Sequence, residues 1–149
     1  MKKLLLILGL CCAIIPVNAQ EQQDNNHSLQ DSHHNLIGYM RNATLFDKNN
    51  TMICQFKGVG NGRLAVYDGH QKVVGYVIND KEVQDANSKT IGYILHGPDY
   101  STILQDAQHA TIGSILRNGT VEDNIHTPIG YEIQTEHVWA SAYYFYFKF

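Results

Sequence analysis

The sequence predicts an all-β protein in which five short two-stranded repeats are arranged around an approximate axis. Three observations predict it. Aspartates recur at 47, 68, 85, 106 and 123, each with an aliphatic residue two positions earlier and another six positions later. An aliphatic-Gly-Tyr-aliphatic phrase recurs with them, best seen at both ends of Val73 to Ile94, VVGYVINDKEVQDANSKTIGYI. The stretches between turns are rich in Val, Ile and Tyr and carry no helical period.

The chain opens on Lys2 and Lys3, then an apolar run from Leu4 to Ile15 broken only by Gly9, then Val17-Asn18-Ala19. That is the pattern of a secretory signal, too short for a spanning helix of about 20 residues. Cleavage is expected after Ala19, sending the chain to the periplasm or outer envelope. A lipoprotein signal on Cys11 or Cys12 fails, because Leu10 and Cys11 stand where a small residue is required. Without residues 1–19, nine Lys and Arg remain against 14 Asp and Glu, a balance that argues against a nucleic-acid partner. Cys54 is then the lone thiol, so stability comes from packing and not from an internal disulfide. Residues 20–35, QEQQDNNHSLQDSHHN, read as a flexible polar leader. His27, His33 and His34 within it lack a fixed acidic or thiol partner and read as tail, not as a metal site. The folded domain is expected to span 36–149.

Each repeat is read column by column. Two residues before the aspartate stand Leu45, Val66, Val83, Leu104 and Val121; six after stand Ile53, Val74, Ile91, Ile112 and Ile129. These ten are the expected core. Seven after come Gly75, Gly92, Gly113 and Gly130, with Cys54 in the first of the five. Eight after come Tyr76, Tyr93 and Tyr131, with Gln55 and Ser114 as exceptions. A further Gly-Tyr phrase, Leu36 to Met40, precedes Asp47. The aspartates are spaced 21, 17, 21 and 17 residues apart, so connectors of two lengths alternate. The short ones hold Arg41-Asn42-Ala43, Asn79-Asp80-Lys81 and Arg117-Asn118-Gly119, the last containing the Asn-Gly hairpin signal. The long ones run Lys57 to Arg63 and His96 to Thr102. In a strand, Ile and Tyr of the phrase face one side, and Gly with the following aliphatic the other. Glycine in register marks a close backbone approach.

These motifs, over Leu36 to about Ile133, resemble the five-fold beta-flower proteins, an exported bacterial family. The resemblance implies a small, roughly five-fold, propeller-like β-structure and no established reaction. Cys54 for Gly, Ser114 for Tyr and the two longer connectors depart from the pattern.

His137 to Phe149, HVWASAYYFYFKF, breaks from the repeat and is read as an aromatic strand, apolar on both faces, that is buried or closes the sheet. Three other roles stand beside that reading. They are an outer-membrane insertion signal, an exposed aromatic binding patch, and an edge left for assembly.

Candidate chemistry is sparse. The aspartates stand as turn formers, each followed by turn residues (DKNN, DGHQ, DANS, DAQH, DNIH), in preference to a carboxylate ring holding Ca²⁺. His109 and His126 fall at loop tips, and His70, His96 and His137 share no column. Cys54 sits in a glycine column without a base and reads as a small buried residue, not a nucleophile. Gly58-Val59-Gly60-Asn61-Gly62 opens no helix, so it is not a phosphate loop. The Asn-x-Thr triplets at Asn42, Asn49 and Asn118 are weak glycosylation matches.

The expectation is an exported envelope module, structural or protein-interacting, without catalysis, cofactor or bound metal. A protein or glycan of the envelope is its expected partner. The alternative is a ligand-binding module for a glycan, peptide or lipid, with Tyr100, Trp139, Tyr143 and Phe145 as candidate binding residues. Membrane association through the C-terminal strand is the less favoured third reading.

Overall fold

The computed structural model describes residues 27–149. The expected signal segment and the first residues of the expected leader lie outside the described residues.

The repeat is best understood from its aspartate. One carboxylate oxygen of Asp47 accepts the backbone N–H of Asn49 and of Thr51, both at 2.8 Å. The backbone closes the same turn, with Asp47 N–H donating to Thr51 O and Asn50 N–H to Asp47 O. The third residue of each turn takes a positive φ, 60–65°, as at Asn50, Gln71 and Ser88. Asp68, Asp85, Asp106 and Asp123 make the same pair of bonds. So does Asp31, through His33 and Asn35, with His34 at φ 62°. The aspartates are turn residues.

The Asp31 turn changes the count. Leu29 lies two residues before Asp31, with Ile37, Gly38 and Tyr39 six, seven and eight after, so a copy precedes the five expected. The strands are β1 (Ser28–Asp31), β2 (Leu36–Arg41), β3 (Thr44–Phe46), β4 (Met52–Gly58), β5 (Arg63–Asp68), β6 (Val73–Ile78), β7 (Glu82–Asp85), β8 (Thr90–His96), β9 (Thr102–Asp106), β10 (Thr111–Ile115), β11 (Thr120–Asp123) and β12 (Pro128–Ile133). Each pairs antiparallel with its neighbours in sequence, and β1 pairs with β12 to close a barrel. Six hairpin copies, not five around a five-fold axis, therefore make the wall. The second half of the expected flexible leader is its first copy. Composition misleads there because β1 needs only Leu29 as an inward residue (1% exposed). Its backbone is satisfied by β2 and β12 on either side.

Every copy carries a β-bulge at the same place. Val66 faces Gly75 while Tyr67 faces Val73, leaving Val74 as the extra residue. By the same shift Ile37, Ile53, Ile91, Ile112 and Ile129 are the extra residues of their copies. A bulge bends its strand and increases local twist, which is how short strands curl into a closed wall. It also divides the expected core into two classes. Leu45, Val66, Val83, Leu104 and Val121 are fully buried, whereas Ile53, Val74, Ile91, Ile112 and Ile129, displaced by the bulge, are only partly buried against them. The second buried layer is the residue nine after the aspartate, apolar in five copies (Met40, Phe56, Val77, Ile94 and Ile115) and Glu132 in the sixth.

Six aspartate turns ring one end of the barrel, and the connectors of alternating length ring the other. Asn42-Ala43 and Asn79-Asp80 have φ between 48° and 58° at both residues, the signature of a two-residue primed hairpin turn.

The turns give the fold an acid sensitivity. Asn35 side-chain and backbone N–H groups hold Asp31 below its usual value of 3.8, and the Thr51 N–H does the same for Asp47. A depressed folded pKa contributes stability present above the unfolded value and lost as pH falls through the folded one. The urea midpoint is therefore expected to be flat above about pH 5 and to fall below about pH 4. Asp47→Ala should make that acid slope shallower. An unchanged slope would remove the turn carboxylate as its source.

Candidate functional site

Barrels with ligands hold them in the lumen, so the lumen is the first place to look. Eight strands enclose a space that wall side chains can fill, and twelve enclose a wider one. Here the chain fills it with its own C-terminus. His137–Ser141 forms a short helix, α1, which continues as one π-helical turn, Ala142–Tyr146, closed by Phe147 N–H donating to Ala142 O at 3.0 Å. The aromatic C-terminal strand expected from sequence is therefore a helical plug. Alternation suggested a strand, but Tyr143 to Phe147 all pack inside, and a helix fans consecutive residues around its axis.

The fan meets the glycine column. A Cβ on Gly130 would lie 2.5 Å from the ring of Tyr144, on Gly113 2.3 Å from Phe145, on Gly92 2.3 Å from Tyr146, and on Gly75 2.3 Å from Phe147. Four successive residues thus lie on the glycines of four successive copies, taken in reverse order. The same imaginary Cβ atoms would also strike the neighbouring strand, at Gln105 O for Gly92 and Glu122 O for Gly113, both at 2.4 Å. The close approach expected of these glycines is made by ring and carbonyl together. Cys54, in the second glycine slot, is buried in the same cluster as Tyr143, and burial pushes its thiol up to about 12.

Two plug hydroxyls reach the wall between strands. Tyr146 Oη lies 2.7 Å from Tyr93 O and 3.0 Å from Gln105 O, and Tyr144 Oη lies 2.6 Å from Gln30 O and 3.1 Å from Tyr131 O. Each donates to its pair of carbonyls, and burial pushes both phenols up, keeping them protonated. Tyr146→Phe is expected to lose about 1 kcal/mol, read from the urea midpoint at constant slope.

One polar cluster interrupts the core. Glu132 stands nine residues after Asp123, where the other copies carry Met40, Phe56, Val77, Ile94 and Ile115, and it is 8% exposed. One of its oxygens accepts the Thr135 N–H at 2.8 Å. The other lies 3.4 Å from Nε2 of His137, whose Nδ1 is 2.7 Å from the Thr102 hydroxyl. Hydroxyl, imidazole and carboxylate follow the order of a nucleophilic relay. Thr102, however, is 1% exposed, so its hydroxyl is enclosed by protein. The cluster fastens the first residue of α1 to β9 and β12, setting where the plug enters. Sequence reading missed it, although the signal was one acid in an otherwise apolar column. No group of three or more His, Cys, Asp or Glu positioned for a metal occurs among the described residues.

The four candidate binding residues do not form one patch. Tyr143 and Phe145 belong to the plug, and Trp139 stacks on Phe56 with ring centroids 5.8 Å apart. Tyr100, on the second long connector, is 78% exposed, with the Arg117 guanidinium 5.3 Å from its ring centroid. The turn histidines have a structural partner as well. His109 stacks on Tyr93 at 4.4 Å, and His34 on Tyr131 at 4.0 Å across the β1–β12 seam.

The described residues also form concave places at the connector end and on the outer wall. At the connector end a pocket of about 240 Å³ lies between His27, Asn42, Gln134 and Trp139. On the outer wall a groove of about 560 Å³ runs beneath the first long connector, with Ala65, Arg63, Tyr67, Tyr76 and Gln84 along it and Val59-Gly60-Asn61 at its rim.

Comparison with known proteins gives one match. A family model described as 5-fold beta-flower protein matches residues 21–98 and, again, residues 59–148. The two matches start 38 residues apart, the length of one long-connector repeat plus one short-connector repeat. No curated protein and no solved structure matches the chain.

Proposed function

The chain belongs to the 5-fold beta-flower family, and from that premise we propose an exported cell-envelope module, structural or protein-interacting, that performs no catalysis. One observation carries the reading: the lumen is occupied by the chain's own aromatic plug, whose rings lie against the wall glycines. Recognition then falls to the outer wall and the connector loops. The groups with chemical potential have structural duties. The carboxylates Asp31, Asp47, Asp68, Asp85, Asp106 and Asp123 bond turn backbone, Cys54 is buried, and the Thr102 hydroxyl is enclosed. Spanning a membrane is not part of the reading. The strands have three to seven residues, against roughly 9–11 for a spanning strand.

The test uses the organism that makes the protein. Photo-crosslinkers are placed at Asn61 and Asp99 on the long connectors and, as a control, at Lys48 beside an aspartate turn. The chain is expected in the envelope fraction with Gln20 as its first residue. The long connectors should give an adduct of defined mass that Lys48 does not. An uncleaved cytosolic chain would overturn the export, and equal labelling from all three positions would overturn recognition through the connectors.

A second reading, a small-ligand module, is favoured by the groove under the first long connector. That groove is a cavity of ligand size with aromatic and polar groups converging on it.

A further inference from the structure

We propose that this outer groove binds an acidic sugar, a pyranose carrying a carboxylate, with Arg63 holding the acid and Tyr67 facing the ring. The inference rests on the small-ligand reading and names what that site takes.

The groove exists because one copy departs from the rest at two outward columns. Five residues before its aspartate it has Arg63, where later copies have Asp80, Ser101 and Asn118. Three before, it has Ala65, where the others have Ser28, Thr44, Glu82, Ile103 and Thr120. The smallest residue of that column therefore lies beside a cation, beneath a long connector. The copy with the other long connector carries Ile103 and Ser101 in those places, so its floor is filled and its cation is missing.

Arg63 is prepared for an anion. Its guanidinium carbon lies 3.6 Å from the centroid of Tyr76, and one terminal nitrogen donates to the Ser88 hydroxyl at 2.9 Å. Its Nε is buried without a hydrogen-bond partner, and no carboxylate pairs with it among the described residues. Stacking and the Ser88 bond fix the plane of the fork, the geometry in which arginine takes a carboxylate by two parallel bonds. Glu82, on β7, is engaged by the Thr90 hydroxyl and the Gln84 amide.

The rest of the groove suits a sugar. Tyr67 offers a flat apolar face with a polar tip, and Gln84 carries both a donor and an acceptor for hydroxyls. Val59, half exposed at the rim, gives a second apolar edge.

The test is titration calorimetry on the purified protein with D-glucuronate, D-glucose and N-acetylglutamate. Glucuronate is expected to bind saturably at one site and at least about tenfold more tightly than either of the others. Arg63→Gln should weaken it by roughly tenfold to a hundredfold, the worth of a hydrogen bond to a charged group. Ala65→Leu, which fills the floor, should abolish binding. Arg63 is partly exposed and Ala65, at 1% exposure, is covered by its neighbours, so the melting temperature of each variant checks that the barrel is intact. Three results would overturn the proposal: no saturation up to about 10 mM glucuronate, equal binding by Arg63→Gln, or N-acetylglutamate binding as tightly, which assigns the groove to peptide carboxylates. The calorimetry stands apart from the fractionation and crosslinking, so failure of the groove leaves the export and partner readings open, and the converse holds.

Discussion

Ending the chain at Ala142 is expected to abolish cooperative unfolding. The deletion removes Tyr144, Phe145, Tyr146 and Phe147, the rings that cover the glycine column. Truncating one large aromatic in a core costs about 3–5 kcal/mol. Four together exceed the roughly 5–15 kcal/mol by which a domain of this size is stable. The wall cannot collapse to compensate, because a closed ladder of twelve strands fixes its circumference. Near-ultraviolet circular dichroism and calorimetry are the readouts, with loss of the aromatic signal and of the melting peak expected. Phe145→Ala is the milder form, expected to lower stability by about 3–5 kcal/mol while leaving a measurable transition. A truncated chain that still melts cooperatively within a few degrees of the parent would show that the plug does not carry the core.

The second large effect is expected from a single methyl group. In Gly113→Ala the new Cβ would meet Phe145 Cε1 at 2.3 Å and Glu122 O at 2.4 Å. Overpacking usually costs about 1–3 kcal/mol, and this site belongs at or above the top of that range. One of its two neighbours is backbone held in a ladder, and the other is a ring wedged in the lumen. Gly58→Ala is the control, a strand glycine whose added Cβ meets nothing within 4 Å, expected to stay within about 0.5 kcal/mol. Chemical denaturation of both separates sterics from the general effect of glycine replacement. Adding Phe145→Leu to Gly113→Ala should recover part of the loss, since it relieves the ring but not the carbonyl. Strict additivity of the two would mean that ring and glycine do not touch.

Much of this architecture was legible in the residues. The aspartate turn was readable because its chemistry is local, a short side chain bonding backbone two and four residues on. The buried column Leu45, Val66, Val83, Leu104 and Val121 was readable because inward residues must be apolar wherever the copy falls. Three things were not. The Asp31 copy was hidden by polarity, since a seam strand draws its stability from the neighbours on both sides and not from its own composition. The bulges were hidden because the pattern gives faces by alternation, and an inserted residue shifts the face without leaving a gap in the sequence. The form of the C-terminus was hidden because a short aromatic run satisfies either period. The candidate residues divided accordingly. Tyr143 and Phe145 went inward with the plug, Trp139 stacks on Phe56 and lines the connector-end pocket, and Tyr100 stayed on the surface. The arginine groove was also missed, since its parts lie on three strands and a loop.

The sequence by itself determined the repeat, the turns, the all-β wall and the need for something small at the glycine column. Each follows from rules acting over fewer than about ten residues, whatever the remainder of the chain does. The tertiary structure decided how many copies close the ring and what fills it. Closure is a property of the circumference, which no single copy specifies. The helix at the C-terminus is the shape that puts adjacent rings onto adjacent copies, a requirement that exists only once the barrel does.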